Sequence, residues 1–146
     1  MEKYEDVIGK LLLNQRLGVL ATDMDGLPYT TLVAFAAINN LHSIVFATLK
    51  DTRKFSNIKK NPKVTLLIDN RANKPTDFQN AIAITAEGKI ISNEANKSQM
   101  KSKFLEKHPY LEEFVNSPNC ALLHLQVEKY HYVSHFQNVK ILVLKE

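Results

Sequence analysis

"PYTTLVAFAAINNLHSIVFATLKDTRKFSNIKKNPKVTLLID", residues 28–69, carries the pattern that decides the fold. "YTTLVAFAAI" predicts a strand apolar or small on both faces, with Thr31, Val33 and Phe35 on one side and Leu32, Ala34 and Ala36 on the other. A strand covered on both sides lies between layers, or between a barrel interior and a partner subunit. Asn39-Asn40 tolerates left-handed backbone and predicts a turn. "HSIVFAT" then returns antiparallel to its predecessor. A short helix over about Thr52 to Lys60 follows, with Phe55 and Ile58 inward and Asn61-Pro62 ending it. "KVTLLID", rich in β-branched residues, is the next strand.

Outward from this block, Tyr4, Val7, Ile8, Leu11 and Leu12 recur at helical spacing. "LGVLAT" predicts a strand, and "DMDG" with Pro28 supplies hairpin turn chemistry. "NRANKPTDFQN" is polar and contains proline, so it predicts a loop. "AIAITAEGKIIS" predicts a strand continuing through or bending at Gly88. Residues 93–116 are helical in pattern with a break at His108-Pro109; Met100, Phe104 and Leu105 form one apolar stripe, and Leu111, Phe114 and Val115 another. "CALLHLQVEKYHYVSHF" and "KILVLKE" complete about seven strands beside two or three helices. No repeat or interdomain linker interrupts residues 1–146, so a single domain is expected. The order favours a mainly β chain with appended α-helices, folded as a closed or split antiparallel barrel, because closure removes exposed sheet edges.

Composition narrows the function. The 146 residues are 45% hydrophobic and 23% charged, an ordinary globular balance. A net charge of +4, from 19 basic and 15 acidic residues, suits an anionic ligand but is too dispersed to indicate nucleic acid. A nucleic-acid-binding barrel would rest only on that charge and on surface aromatics such as Tyr130 and Tyr132. No apolar run approaches the roughly 20 residues of a membrane span, and "MEKYEDVIGKLLLNQ" lacks the features of a signal peptide. With one cysteine, Cys120, a reducing cytoplasm is the expected home and a structural thiol the expected role.

The chemistry concentrates in "FATLKDTRKFSNI", residues 46–58. Directly after Phe46 and Ala47 come Thr48, Lys50, Thr52, Arg53 and Lys54. Asp51 or Thr52 could cap the helix start, whose free N–H groups and positive dipole end make an anion site. Cations in a first helical turn oppose that dipole, and an external anion would relieve the conflict. Arginine can grip a phosphate with two parallel bonds, and lysine adds a compact charge. A solvated basic helix face accounts for the same residues. His131 and His135, with His124 nearby, suggest a metal or haem. In strand geometry the first two face one way about 13 Å apart, too far for one metal. No zinc, P-loop or dinucleotide motif occurs.

"VFAT", "TRK", "NI" and "NPKV", in that order and separation, make residues 15–92 resemble the flavin-binding core of the pyridoxamine 5′-phosphate oxidase-like family, the FMN-binding split barrels. "EKYHYVSHFQNVKILVL" fits its closing strands more loosely. The resemblance implies that Thr52, Arg53 and Lys54 hold the FMN phosphate with help from Thr48. It implies that Phe46 and Ala47, with the strand around Leu32, Val33 and Ala34, lie along the isoalloxazine and ribityl chain. It further implies a homodimer with FMN in the cleft between subunits, and a flavin-dependent oxidoreductase acting on a small molecule. Asn70-Arg71 or Gln137-Asn138 of the partner are candidates to complete the site. The strand Leu32 to Ala37 lacks the basic residues that reach the cofactor in true oxidases, and "VLKE" closes the chain without their arginine-rich segment. The resemblance therefore implies FMN binding more strongly than that particular oxidation. A non-catalytic flavin or haem carrier is the alternative.

Overall fold

A computed structural model describes residues 3–92 and 94–144. The chain opens with helix α1 (Tyr4–Asn14), which buries Ile8, Leu11 and Leu12. Strands β1 (Leu17–Met24) and β2 (Leu27–Ile38) form a hairpin turned by Asp25 and Gly26, both at positive φ. Asn39 and Asn40, also left-handed, lead into β3 (Ser43–Leu49). Helix α2 (Arg53–Lys60) and strand β4 (Lys63–Asp69) follow as the pattern predicts.

The polar stretch before β5 (Ala83–Ile91) differs from the expected loop, because it holds a short helix, α3 (Asp77–Asn80). The Asp77 carboxylate accepts the N–H groups of Ala72, Asn73 and Lys74, which folds the chain around it. These bonds hold the Asp77 carboxyl below its usual pKa. The long helical stretch divides into α4 (Lys97–Lys107), a 3-10 turn at Pro109–Leu111, and α5 (Glu112–Asn116). Strands β6 (Cys120–Ser134) and β7 (Asn138–Val143) end the described chain. The expected helical start at Asn93, and the ends Met1, Glu2, Lys145 and Glu146, lie outside the described residues.

All pairings are antiparallel, in the order β3-β2-β1-β4-β5-β6-β7, and β3 pairs again with β6. Six strands thus close a barrel. The long β6 borders β3 over Cys120–Gln126 and passes to β7 over Lys129–Ser134. The barrel interior is filled by Leu20, Phe35, Ile44, Phe46, Leu66 and Leu125, with Ile8 and Leu12 of α1 packed in. A second cluster lies outside the wall: Ala36, Val45 and Ala47 meet Met100 and Phe104 of α4. β3 is therefore covered on both faces, which accounts for its unbroken apolar run.

Two expectations about β6 are corrected. Tyr130 is no surface aromatic; it is fully buried, its hydroxyl donating to the Leu41 carbonyl at 2.7 Å. His135 does not share a strand face with His131. It leaves β6 with a φ of 48°, in the turn to β7.

Candidate functional site

The strand junctions leave an unpaired strand edge at one end of the barrel. β2 pairs with β3 only through Phe35–Ile38 against Ser43–Phe46, while β3 runs on to Leu49 beside β6. Beyond Phe35 the two strands part. The Phe35 N–H donates to the Arg16 carbonyl on the β1 side, so alternation turns the backbone groups of Thr30 and Leu32 the other way, into the split.

Helix α2 begins at the foot of this split. Its cap is Thr52, whose Oγ1 accepts the Phe55 N–H at 3.4 Å and donates to the Leu49 carbonyl at 2.8 Å. Thr48 is buried with its Oγ1 3.3 Å from that of Thr52, so it buttresses the cap from behind. The N–H groups of Arg53 and Lys54 have no described partner, and the first turn contains no acidic residue. Neither side chain has an ion pair among the described residues. The Arg53 guanidinium lies 4.6 Å from the centre of the Tyr29 ring, which fixes the charge beside the β2 edge. Burial lowers the pKa of Lys54, since no counter-ion offsets the lost hydration. The first turn of α2 thus carries two cations and two N–H donors without described partners, groups that an anion can satisfy.

The other positions named from sequence divide by side. Leu32 points outward and is 64% exposed, whereas the side chains of Val33 and Phe46 fill the barrel core. Ala47 and Ala34 lie against the cluster beneath α4. A ligand in the split would meet Leu32 by side chain and its neighbours chiefly by backbone. Sequence reasoning missed Tyr29, and it used Asn57 only as part of the "NI" pattern, with no role assigned. Asn57 is fully buried on α2, its Nδ2 donating to Thr22 Oγ1 at 3.0 Å, which ties the helix to β1. Tyr29 has no signal in its spacing, because its partner Arg53 is distant in the chain.

The histidines are engaged elsewhere. His124 Nε2 lies 2.8 Å from Ser43 Oγ, His131 Nε2 2.9 Å from Glu87 Oε2, and His108 Nε2 2.8 Å from the Phe35 carbonyl. Among the described residues no three metal-ligating side chains come together.

A sequence profile described as pyridoxamine 5′-phosphate oxidase matches residues 4–134, most of the chain. The chain belongs to the pyridoxamine 5′-phosphate oxidase family. No curated protein matches it significantly. Solved structures share this family fold at low identity. A heme binding protein from Mycobacterium smegmatis superposes with a TM-score of 0.87 at 12% identity, over 98% of this chain and 59% of that one. This chain therefore spans less than two thirds of that relative. The General Stress Protein 26 of Bacillus anthracis aligns with a TM-score of 0.72 at 22% identity, over 96% and 98% of the two chains. An FAD-binding protein of Mesorhizobium loti aligns with a TM-score of 0.68 at 16% identity, over 86% and 89%. As a member of the pyridoxamine 5′-phosphate oxidase family the chain has the split-barrel fold, with its unpaired strand edge and its free cations at one opening.

Proposed function

We propose that this protein binds FMN in the split between β2 and β3 and acts as a flavin-dependent oxidoreductase on a small molecule. The observation that carries the reading is the pair Arg53 and Lys54, free of acidic partners, at the start of a helix with open N–H donors. The phosphate of FMN would take these donors, and the ring system would lie along the free edge at Thr30 and Leu32. Thr48 supports the site through Thr52 rather than by direct contact. When bound, the flavin supplies the electron transfer, while this chain orients it and shields it from water.

A homodimer follows from the same reading. Leu32 pairs with Val19 across β1, and Val19 with Leu67 across β4, forming an apolar outer row beside exposed Leu17. A second copy of the chain would cover this row and close the flavin cleft. The lone Cys120 suits a reducing compartment such as the cytoplasm.

The test is titration with FMN. Purified protein should take up one FMN per chain. Replacing Arg53 and Lys54 together by alanine should weaken binding about a hundredfold or more, given ~1.5–3 kcal/mol per charge-assisted hydrogen bond. Unchanged affinity in that variant would place the phosphate elsewhere. A carrier of flavin or haem without turnover is favoured by one observation: Leu32 to Ala37 offers no ionisable side chain for proton transfer. Slow reoxidation by every acceptor tried, after anaerobic reduction, would support the carrier.

A further inference from the structure

A second cavity, of about 330 Å³, opens between α2, the far end of β5, the start of β6 and the start of α4. Its volume is at the small end of the roughly 300–1,000 Å³ typical of small-molecule sites. Phe55 and Ile58 of α2, Met100 of α4 and Leu122 of β6 supply apolar wall. Phe55, Ile90 and Leu122 are half-buried and present apolar surface to the cavity, while Ser92 and His124 add polar atoms to its lining.

Its charges are of one sign. Lys50 and Lys97 both line the cavity and both are exposed, so they stand at its mouth. The lining contains no carboxylate among the described residues. Lys50 donates to the Pro118 carbonyl at 3.2 Å, and Lys97 has no ion pair among the described residues. Two cations at the rim of an apolar hole repel each other and leave a local positive field.

The larger groove between α1, the β2–β3 turn and α4 is unlike this. There Glu5, Asp6 and Glu106 sit among Lys10, Lys103 and Lys107, so no sign of charge is selected. Arg53 and Lys54 do not line the smaller cavity either, which separates it from the flavin cleft.

We propose that the cavity bounded by Phe55, Met100 and Leu122 binds a small amphipathic carboxylate, its apolar tail inside and its head between Lys50 and Lys97. The site stands independently of FMN binding. Alkyl chain is removed from water against Phe55 and Leu122, each buried methylene contributing about 0.8 kcal/mol. The head group supplies the negative charge that the described rim lacks.

Cys120 provides the reporter. It is the single cysteine, it lines this cavity, and it is partly exposed. Octanoate is the probe, and octanol its uncharged counterpart. Saturating octanoate should slow alkylation of Cys120 by a neutral maleimide about fivefold or more, and the same concentration of octanol should do much less, because only a charged head engages the rim. Lys97→Glu should weaken octanoate binding, measured by calorimetry, about tenfold, a loss consistent with reversing one rim charge. Lys97 is the first residue of α4, where a glutamate suits the helix dipole, so this variant should fold. Leu122→Trp, which fills the cavity, should abolish protection of Cys120; circular dichroism checks its fold. Saturating FMN should leave octanoate affinity unchanged. Equal protection by octanol, or Lys97→Glu binding octanoate as the parent does, would overturn the proposal, whether or not FMN binds.

Discussion

His108 shows how one side chain can tie stability to pH. It is buried, and its Nε2 donates to the Phe35 carbonyl, which β1 leaves unpaired because it starts too late to reach it. Nδ1 has no described partner. Burial pushes the His108 pKa down; the Phe35 bond raises it, while Lys107 and Arg16 nearby lower it. Burial pushes His124 the same way. A histidine with a lowered folded pKa is neutral in the native state, so the unfolded chain takes up protons first as pH falls. Stability should fall progressively below about pH 6.5, the unfolded value. Thermal melts from pH 8 to 5 check this, and His108→Gln should show a shallower decline than the parent. Lys107, pulled down to about 8 chiefly by burial, loses its proton first in the folded state, so stability should rise again from about pH 8 upward. At this scale the sequence led to Thr52, Arg53 and Lys54, since residues next to one another in the chain share a helix start. It could not lead to His108 or Tyr29, whose partners lie in distant strands.

Among the elements, the join of β5 and β6 is the most sharply constrained. Register shifts between Glu87 and Gly88, with Glu128 as the extra residue on β6. A Cβ on Gly88 would lie 2.0 Å from the Gln126 carbonyl oxygen, and that oxygen is backbone, so it cannot swing aside. The bulge bends both strands, which lets β6 serve β3 at one end and β7 at the other. Gly88→Ala should therefore cost about 3 kcal/mol or more, at the top of the overpacking range, and lower the urea midpoint. A midpoint within error of the parent would mean that the strands can separate freely there. A lone glycine in a strand pattern left open whether the strand ran straight through or bent there, whereas β3 was legible from its apolar run. Helix α3 was not, because a four-residue helix has too few positions for periodicity. It is held instead by one carboxylate accepting N–H bonds three to five residues before it.

For the whole molecule, the consequential feature is the outer row Leu32, Val19 and Leu67, which the chain's own helices leave uncovered. If a second copy covers it, Leu32→Lys should turn a dimer into a monomer in analytical ultracentrifugation, because a buried lysine there would lack a partner. The same variant should lose FMN affinity while keeping its circular dichroism spectrum. A parent protein that sediments as a monomer at all concentrations would remove the subunit cleft from the functional reading. By itself the sequence determined the strands, the turns and the basic pair, and narrowed the helix cap to Asp51 or Thr52, since alternation, left-handed asparagines and polar side chains before a helix act over a few residues. Which edges pair was decided only in three dimensions. That β6 meets β3, that β2 joins β3 only from Phe35 onward, and that Arg53 therefore stands beside Tyr29 at an open edge all depend on barrel closure, and closure is set by the packing of side chains far apart in the chain.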